Sequence, residues 1–574
     1  MDKKEIVSVL NKISILYELK GENFFKIRAY QAAARALELS DINIDSNTLE
    51  SELISIKGVG KSIAAQIIEL SKNELPDLYK NLKSSIPAGL LEMLKIQKLG
   101  PKKIKFLYDE MGISDIGQLE SACIENRIAG LPNFGKKTQD NILHGIELVK
   151  KFSEAFLYSI AAGQAETIVE KLQSSGHITH ISIAGSLRRK KGVVKDIDIV
   201  ACTQNPGDAM DIFTGLSQVS EITAKGETKS SVRLKSGINA DLRIVENFQY
   251  PYALHHFTGS KEHNTAMRSL AKKSGIKMNE YGLFKNDKLI KCRDEKEIFS
   301  VFNMEYIEPE LRENTGEIEA AASRSLPGII DDKDILGLFH FHTDYSDGNM
   351  SLRQATVRLI EMGFSYCGIS DHSKTAAYAG GIADEKIAAY IENTNIVKNE
   401  FKEFTIFSGI ESDILADGSL DYSDEILSLF DFVIIAVHSS FNMNRKAMTE
   451  RIIKGMQNRF ATILAHPTGR LLLARDPYDV DINEIIDAAS AYNVDIEINA
   501  SPFRLDLDWQ NCKYAKEKNV KIFINPDAHS LEGFNDYRYG VNVARKGWLE
   551  KTDIVNTWQA DKVALHLSRK KQAK

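Results

Sequence analysis

The C-terminal part of the chain constrains its fold most. Seven short apolar runs recur there: Gly337–Tyr345, Tyr366–Ser373, Phe404–Asp413, Phe432–Ser440, Ala461–Arg470, Asp495–Ser501 and Val520–Ser530. Each is joined to the next by a stretch with helical character. Seven strand-then-helix units predict an α/β barrel, a fold whose strands end at one mouth and carry the chemistry there. Those ends hold His340, His342, Asp347, His372, Glu411, His438, His466, Asp527 and His529. A single histidine at a strand end is ordinarily a hydrogen-bonded rim residue. Six of the chain's 13 histidines at such ends, accompanied by three acids, point instead to a multinuclear metal centre. His340 and His342 are two residues apart and share a face, and Asp527 and His529 repeat the spacing.

A second block, Ala184–Val200 (AGSLRRKKGVVKDIDIV), reads as a turn, a basic loop and an alternating strand. Alternation puts Asp196 and Asp198 on one face and sends Ile197 and Ile199 into a core. Adjacent carboxylates repel one another, and divalent cations resolve that repulsion, as in phosphoryl and nucleotidyl transfer. Gly185-Ser186 permits close backbone approach to a phosphate, and Arg188 or Arg189 offers a planar charged fork. The segment Asn239–Val245 supplies a third strand-borne carboxylate, Asp241. An edge strand with solvated aspartates explains a lone Asp-x-Asp, but not this combination.

From the N-terminus to about Ser153 the spacing is helical, and one pattern recurs three times: Ile56–Lys61 (IKGVGK), Gln97–Lys102 (QKLGPK) and Leu131–Lys136 (LPNFGK). A tight hairpin before a helix turns backbone N–H groups towards an anion. Lys61, Lys102, Lys103, Lys136 and Lys137 add point charge. This is the helix-hairpin-helix pattern, a sequence-neutral grip on phosphates. Lys98 and Asn133 replace the first glycine in the second and third copies, and asparagine tolerates a left-handed conformation.

The 574 residues, 43% hydrophobic and 26% charged, leave room for several domains. A net charge of −6 gives no global attraction to nucleic acid, so any such site must be a local patch. Five scattered cysteines with no Cys-x-x-Cys pair exclude a disulfide framework and fit a reducing compartment. Charges interrupt every apolar run near the N-terminus, so neither a signal peptide nor a membrane span is expected there, and a cytoplasmic location is. The small, polar stretch from Glu313 to Asp334 reads as a linker between two independent parts.

Gly185, Ser186, Asp196, Asp198 and Asp241 resemble the signature of the β-like nucleotidyltransferases. With the three hairpins and the blocks Tyr252–Ser260, Lys261–Arg268 and Met278–Phe284, residues 1 to about 315 resemble a family X DNA polymerase. The resemblance implies an 8-kDa-type helical domain (1–80), a helix-hairpin-helix DNA-binding domain (81–153), an α+β nucleotidyltransferase palm (154–250) and a nucleotide-closing, thumb-like domain (251–312). It implies Mg²⁺ or Mn²⁺ on the three aspartates, and nucleotide binding by Gly185, Ser186 and Arg189. Phe257 and Gly259 would flank the incoming sugar, Asn264 would face the minor-groove edge of the incoming base, and Arg268 the template side. Lys26 and Tyr30 match a 5′-phosphate site. Gly58, Gly60, Lys61, Gly100, Lys102, Gly135 and Lys136 would grip DNA, with monovalent cations at the hairpins. Two positions depart from the family. Gln66 stands where a lyase lysine is needed, and an amide forms no Schiff base. His256 replaces a tyrosine beside Phe257.

The strand-end residues resemble the PHP (polymerase and histidinol phosphatase) domain, here 336–574 after a linker at 313–335, with every position of its trinuclear ligand pattern filled. That resemblance implies two or three Mn²⁺ or Zn²⁺ ions, Glu411 bridging two of them, and Arg470 holding a phosphate. The expected chain is multidomain: an all-α helix-hairpin-helix region, an α+β palm and a seven-stranded α/β barrel. The expected function is a DNA-dependent DNA polymerase at gaps or primer ends in repair, base excision repair included, with a 3′–5′ exonuclease that extends to 3′-end processing or abasic-site cleavage. Gapped or primed DNA and deoxynucleoside triphosphates are the expected partners of a monomer without membrane attachment, associated with the nucleoid when on DNA. The competing readings are a DNA end- or gap-binding protein with a silent palm, and a small-molecule phosphatase joined to a polymerase.

Overall fold

The computed structural model describes residues 1–574 except 2, 39, 41, 43, 45–47, 73, 97, 153, 573 and 574; Gln97, which opens the second hairpin copy, therefore lies outside the described residues. The chain divides into two compact units, Met1–Ser153 and Glu154–Lys574.

The first unit is helical, from Lys3–Lys20 to Gly135–Lys151. One continuous apolar core, from Ile6 on the first helix to Ile146 on the last, runs through the regions expected as 1–80 and 81–153. The three hairpins share a backbone signature. Gly58 has φ +111°, and Lys98 and Asn133, which replace the glycine, have φ 62° and 67°. Each turn leads into a helix: Lys61–Ser71, Pro101–Met111 and Gly135–Lys151. The left-handed turn is thus kept at Lys98 despite a cost of roughly 1–2 kcal/mol for a residue with a Cβ.

The second unit begins with a five-stranded mixed sheet. Its order is Ile178–Ile183, Asp196–Thr203, Asn239–Ile244, Lys229–Leu234, Val219–Lys225. Ile197, Ile199, Ala240 and Leu242 face a core shared with the helices Tyr158–Gln173 and Pro206–Thr214. The opposite face of the central strands is left to the aspartates. The helices Tyr250–Thr258 and Lys261–Lys273, a three-stranded sheet (Lys277–Asn279, Gly282–Lys285, Lys288–Ile290) and the helix Glu295–Val301 follow.

Residues 313–334 differ from the expected linker. Helix Glu317–Ser323 lies inside this stretch, and its Ile318 and Ala321 join an apolar cluster with Met267, Phe299 and Trp548. Glu317 is fully buried with its carboxylate 2.6 Å from His263 Nδ1. Part of the stretch that read as a linker is packed, with Ala321 buried and Glu317 in a buried ion pair, which composition alone does not distinguish from solvated chain.

Seven parallel strands, Gly337–Leu338, Tyr366–Ile369, Thr405–Asp413, Phe432–Ala436, Ile463–Leu464, Asp495–Asn499 and Ile522–Asn525, follow one another in sequence order. A bridge between Phe341 and Ala528 brings the first and last segments together and nearly closes the barrel at its carboxyl end. Phe339 fills the interior below that end, in ring contact with Tyr366, Phe407, Phe432 and Phe523. Gly368 leaves room for it, since a Cβ there would fall 2.0 Å from the Phe339 ring. With the lower interior filled by rings, only the mouth is available to polar groups. No helix among the described residues is long and apolar enough to cross a membrane.

Candidate active sites

In the five-stranded sheet, Asp196 and Asp198 share one face of their strand, and the parallel register sets Asp198 beside Asp241. Burial, then the charges of Asp196 and Asp241, push the Asp198 carboxyl up to about 6; burial and Asp241 also raise Asp196. Lys229 Nζ lies 2.6 Å from Asp241 Oδ2 and brings one cation to the triad. Such a cluster has a standing demand for positive charge, which hard divalent cations meet. Gly185 turns at φ 61° directly over it, and a Cβ there would lie 2.4 Å from Asp198 Oδ2. The backbone N–H of Ala184 donates to the Asp198 carbonyl at 2.8 Å, which fixes the Gly185-Ser186 turn beside the carboxylates.

Phe257 lies under the Arg243 guanidinium, 4.3 Å from centroid to Cζ. Asn264 donates to the carbonyls of His256 (2.7 Å) and Gly259 (3.1 Å), so its amide holds the turn between the two helices. Arg268 is exposed one helical turn further on. Arg189 is largely occupied: it donates to the Thr258 carbonyl at 2.7 Å and to Glu313 at 2.9 Å. Arg188 pairs with Glu295 at 2.6 Å, and Arg312 binds the other oxygen of that carboxylate.

Burial acts to raise Glu295, but Arg312 and Arg188 outweigh it and hold the carboxyl at about 2, against an ordinary 4.5. A depressed carboxylate contributes stability that is present above the unfolded value and lost as pH falls towards the folded one. Glu295→Gln is therefore expected to cost about 3 kcal/mol near neutral pH. Denaturant midpoints of the two proteins should converge between pH 4.5 and pH 2. A gap that stays constant over that range would overturn the assignment.

At the barrel mouth all nine strand-end candidates converge. Three clusters have ligand atoms within 4.8 Å of one another: His342, Asp347, His372 and His529; His340, His342 and Asp527; and His372, Glu411 and His438. His466 Nε2 lies 3.2 Å from Glu411 Oε1. Glu411 is the centre, with His340 at 3.3 Å, His438 at 3.4 Å and His372 Nδ1 at 2.8 Å. Burial acts to raise Glu411, yet His438, His340 and His372 hold it well below the carboxylate range. Burial and His372 push His342 down to about 3, so that imidazole is neutral and keeps a lone pair to offer. His340 Nε2, His342 Nδ1, His372 Nδ1, Glu411 Oε2 and His466 Nδ1 are buried without a hydrogen-bond partner, although His372 and Glu411 are close. Buried polar atoms are rarely left so. Lone pairs that converge without donating to one another fit metal ions, and this donor set suits several of them.

The backbone is strained at the same place. His340, His466 and Asp527 have φ 52°, 28° and 52°. Left-handed conformations at non-glycine residues cost on the order of 1–3 kcal/mol each and gather at functional sites.

A supporting layer escaped the sequence reading. Glu497 lies 2.6 Å from His340 Nδ1 and also accepts from Asn499 and Asn525. Asp413 lies 2.6 Å from His438 Nδ1. Asp371 accepts from Thr343 and Ser346 and so shapes the loop carrying Asp347. Such partners orient imidazole ligands and set their tautomers. The available signal was the alternation Asp495-x-Glu497-x-Asn499 along the strand, which puts three polar side chains on one face.

Arg470 is a correction. Its guanidinium donates to the Arg504 and Leu505 carbonyls and pairs with Asp508, which pins the loop that follows the sixth strand. That loop carries the arginine that reaches the site: Arg504 Nε is 3.7 Å from Asp527 Oδ2. Tyr30 is a second correction. It is buried, its hydroxyl is 3.0 Å from Gln66 Oε1, and burial pushes it up to about 12. Lys26 remains exposed, 3.1 Å from Glu22.

Comparison with known proteins bears on the family rather than on individual residues. A DNA polymerase beta thumb model matches residues 253–313 and a PHP domain model 339–501. Helix-hairpin-helix models match 1–74 and 90–147. The DNA polymerase/3′-5′ exonuclease PolX of Bacillus subtilis is 37% identical over 573 residues, 99% of this chain and 100% of that protein. The chain belongs to the PolX family. Shorter similarities are found as well. A probable phosphatase of Thermoanaerobacter sp. is 28% identical over 195 residues, 32% of this chain and 76% of that protein. DNA polymerase IV of Saccharomyces cerevisiae is 46% identical over 57 residues, 10% of each. Membership of the PolX family, together with the PHP domain, implies use of divalent metal.

Proposed function

We propose that this PolX chain is a template-directed DNA polymerase whose barrel is a metal-dependent 3′–5′ exonuclease, acting on gaps and primer ends during repair. The observation that carries the reading is the register of Asp198 against Asp241 beneath the Gly185-Ser186 turn. It gathers three carboxylates beside a backbone open to phosphate, in a chain that matches PolX from end to end.

In the palm, Asp196, Asp198 and Asp241 would hold Mg²⁺ or Mn²⁺. In the barrel, the nine strand-end residues would hold two or three Mn²⁺ or Zn²⁺, with Glu411 shared between them. The bound cations supply charge neutralisation at phosphate and acidification of the attacking oxygen. The chain's own residues do the rest. Gly185 and Ser186 bring backbone close to the triphosphate, and Arg189 offers it a guanidinium. The Asn264 amide, the Gly259 turn and the Phe257 ring bound the sugar and base. At the barrel, Glu497 and Asp413 hold the His340 and His438 rings in place. Arg504, already beside Asp527, replaces Arg470 as the group that holds the scissile phosphate. Exposed Lys61, Lys102 and Lys136 at the helix starts would contact DNA phosphates, and Lys26 a 5′-phosphate.

A gapped duplex incubated with and without deoxynucleotides, in Mg²⁺ and in Mn²⁺, tests the reading. Extension with nucleotides and 3′-end loss without them are expected. Loss of 3′ ends with no incorporation would leave a silent palm. Faster turnover of free phosphomonoesters than of DNA ends would make the barrel a phosphatase. Lys61→Ala and Lys136→Ala are expected to weaken binding equally across sequences and to lower the salt slope by about one unit each. Salt titration of duplex binding measures this, and a sequence-dependent loss counts against it.

A further inference from the structure

The barrel helix Tyr537–Lys546 reaches into the polymerase half. Near its start Tyr539 meets Tyr158 edge-on, with centroids 6.1 Å apart. At its end Arg545 pairs with Glu310 at 2.8 Å, and the last residue, Lys546, is 1% exposed. The Lys546 ammonium donates to the Glu313 carboxylate, to the carbonyl of Arg189 at 3.2 Å and to that of Glu310 at 3.3 Å. It also lies 4.6 Å from the centroid of the Trp509 ring, a second barrel element. Glu313 Oε1 accepts from Arg189 Nε as well. Two cations from different domains thus share one carboxylate, and among the described residues Arg189 bonds through Nε and Nη1, not Nη2.

Buried charges must be balanced, and here the balance is not one to one. With Lys546 in place, Glu313 is neutralised and the cluster keeps one net positive charge at Arg189. Without it, Glu313 cancels Arg189. We propose that Lys546, a barrel residue, is a positioning residue for the polymerase: by neutralising Glu313 it leaves Arg189 its charge for the incoming triphosphate. The inference rests on the reading of Arg189 as a nucleotide contact. It makes nucleotide affinity in the palm depend on the docked barrel without the exonuclease taking part.

The experiment uses the full chain on a gapped duplex and measures KM and kcat for one deoxynucleoside triphosphate. Exonuclease activity of the same preparations is the folding control. Lys546→Met is expected to raise KM on the order of tenfold, the effect of one unit charge in a partly screened site, with kcat and exonuclease within about twofold. Lys546→Arg should restore KM. Glu313→Gln, which does not depend on how well Lys546→Met folds, should lower KM, and combined with Lys546→Met should return it close to the parent value. Arg189→Ala separates the two layers of the argument. If it raises KM and Lys546→Met does not, the positioning role is overturned while the nucleotide contact stands. If Arg189→Ala leaves KM unchanged, the nucleotide contact is wrong and the proposal falls with it. A rise in KM on Glu313→Gln, or joint loss of kcat and exonuclease in Lys546→Met with no rescue by Glu313→Gln, also overturns it.

Discussion

Asp198→Ala is expected to abolish templated extension, by more than about 10³-fold, and to leave 3′-end degradation within a few-fold of the parent protein. Removing a single preorganised stabilising group typically costs about 10²–10³ in rate. Asp198 does more than that. It is half-buried, in register with Asp241 and two residues from Asp196 on its own strand. Its removal takes away a candidate metal ligand and the wall beneath the Gly185 turn at once. Primer extension on a gapped duplex measures the loss, and duplex binding should persist because the hairpins lie in the other compact unit. Substantial synthesis by Asp198→Ala would sink the assignment of the triad.

The second large effect is at the barrel. His342→Ala or Asp527→Ala should abolish 3′-end degradation and release metal. His342 belongs to two of the three donor clusters, and Asp527 lies 3.2 Å from His342 and 3.5 Å from His340. Even changes to the partners of ligands typically cost about 10–100-fold in metal affinity or activity, and loss of a ligand should exceed that. Metal analysis of the purified variants should show the drop, with little recovery of activity in excess Mn²⁺. Extension should remain within a few-fold. The reason is not a flexible linker, since the helix Glu317–Ser323 within residues 313–334 is packed. It is that the barrel meets the polymerase through the helix Tyr537–Lys546, through Trp548 beside Met267 and Phe299, and through Leu505 beside Gly192, and none of these residues is a metal-ligand candidate. Severe loss of extension in His342→Ala would mean that the mouth itself supports the primer.

Much of this molecule was readable along the chain because the signals are local. Alternation put Asp196 and Asp198 on one face, and the strand ends named all nine barrel candidates, because barrel chemistry must lie where parallel strands end. The hairpin repeats were legible even where Lys98 and Asn133 replace glycine, since the following helix starts are shared. The remainder depended on which strands become neighbours. Glu497 looked like one more strand residue until the barrel set it against His340. Arg470 and Arg504 are equivalent as sequence, both basic and both in loops, and only the course of the loop decided that one pins backbone while the other reaches Asp527. Tyr30 carries a hydroxyl that suits a phosphate, and its burial against Gln66 removes it. The stretch 313–334 misled for the same reason. Glu313 and Glu317 are charges whose partners, Arg189, Lys546 and His263, lie far away in sequence. Local pattern determines which residues can do chemistry and which way a strand faces them, while burial and pairing of charge are properties of the assembled fold.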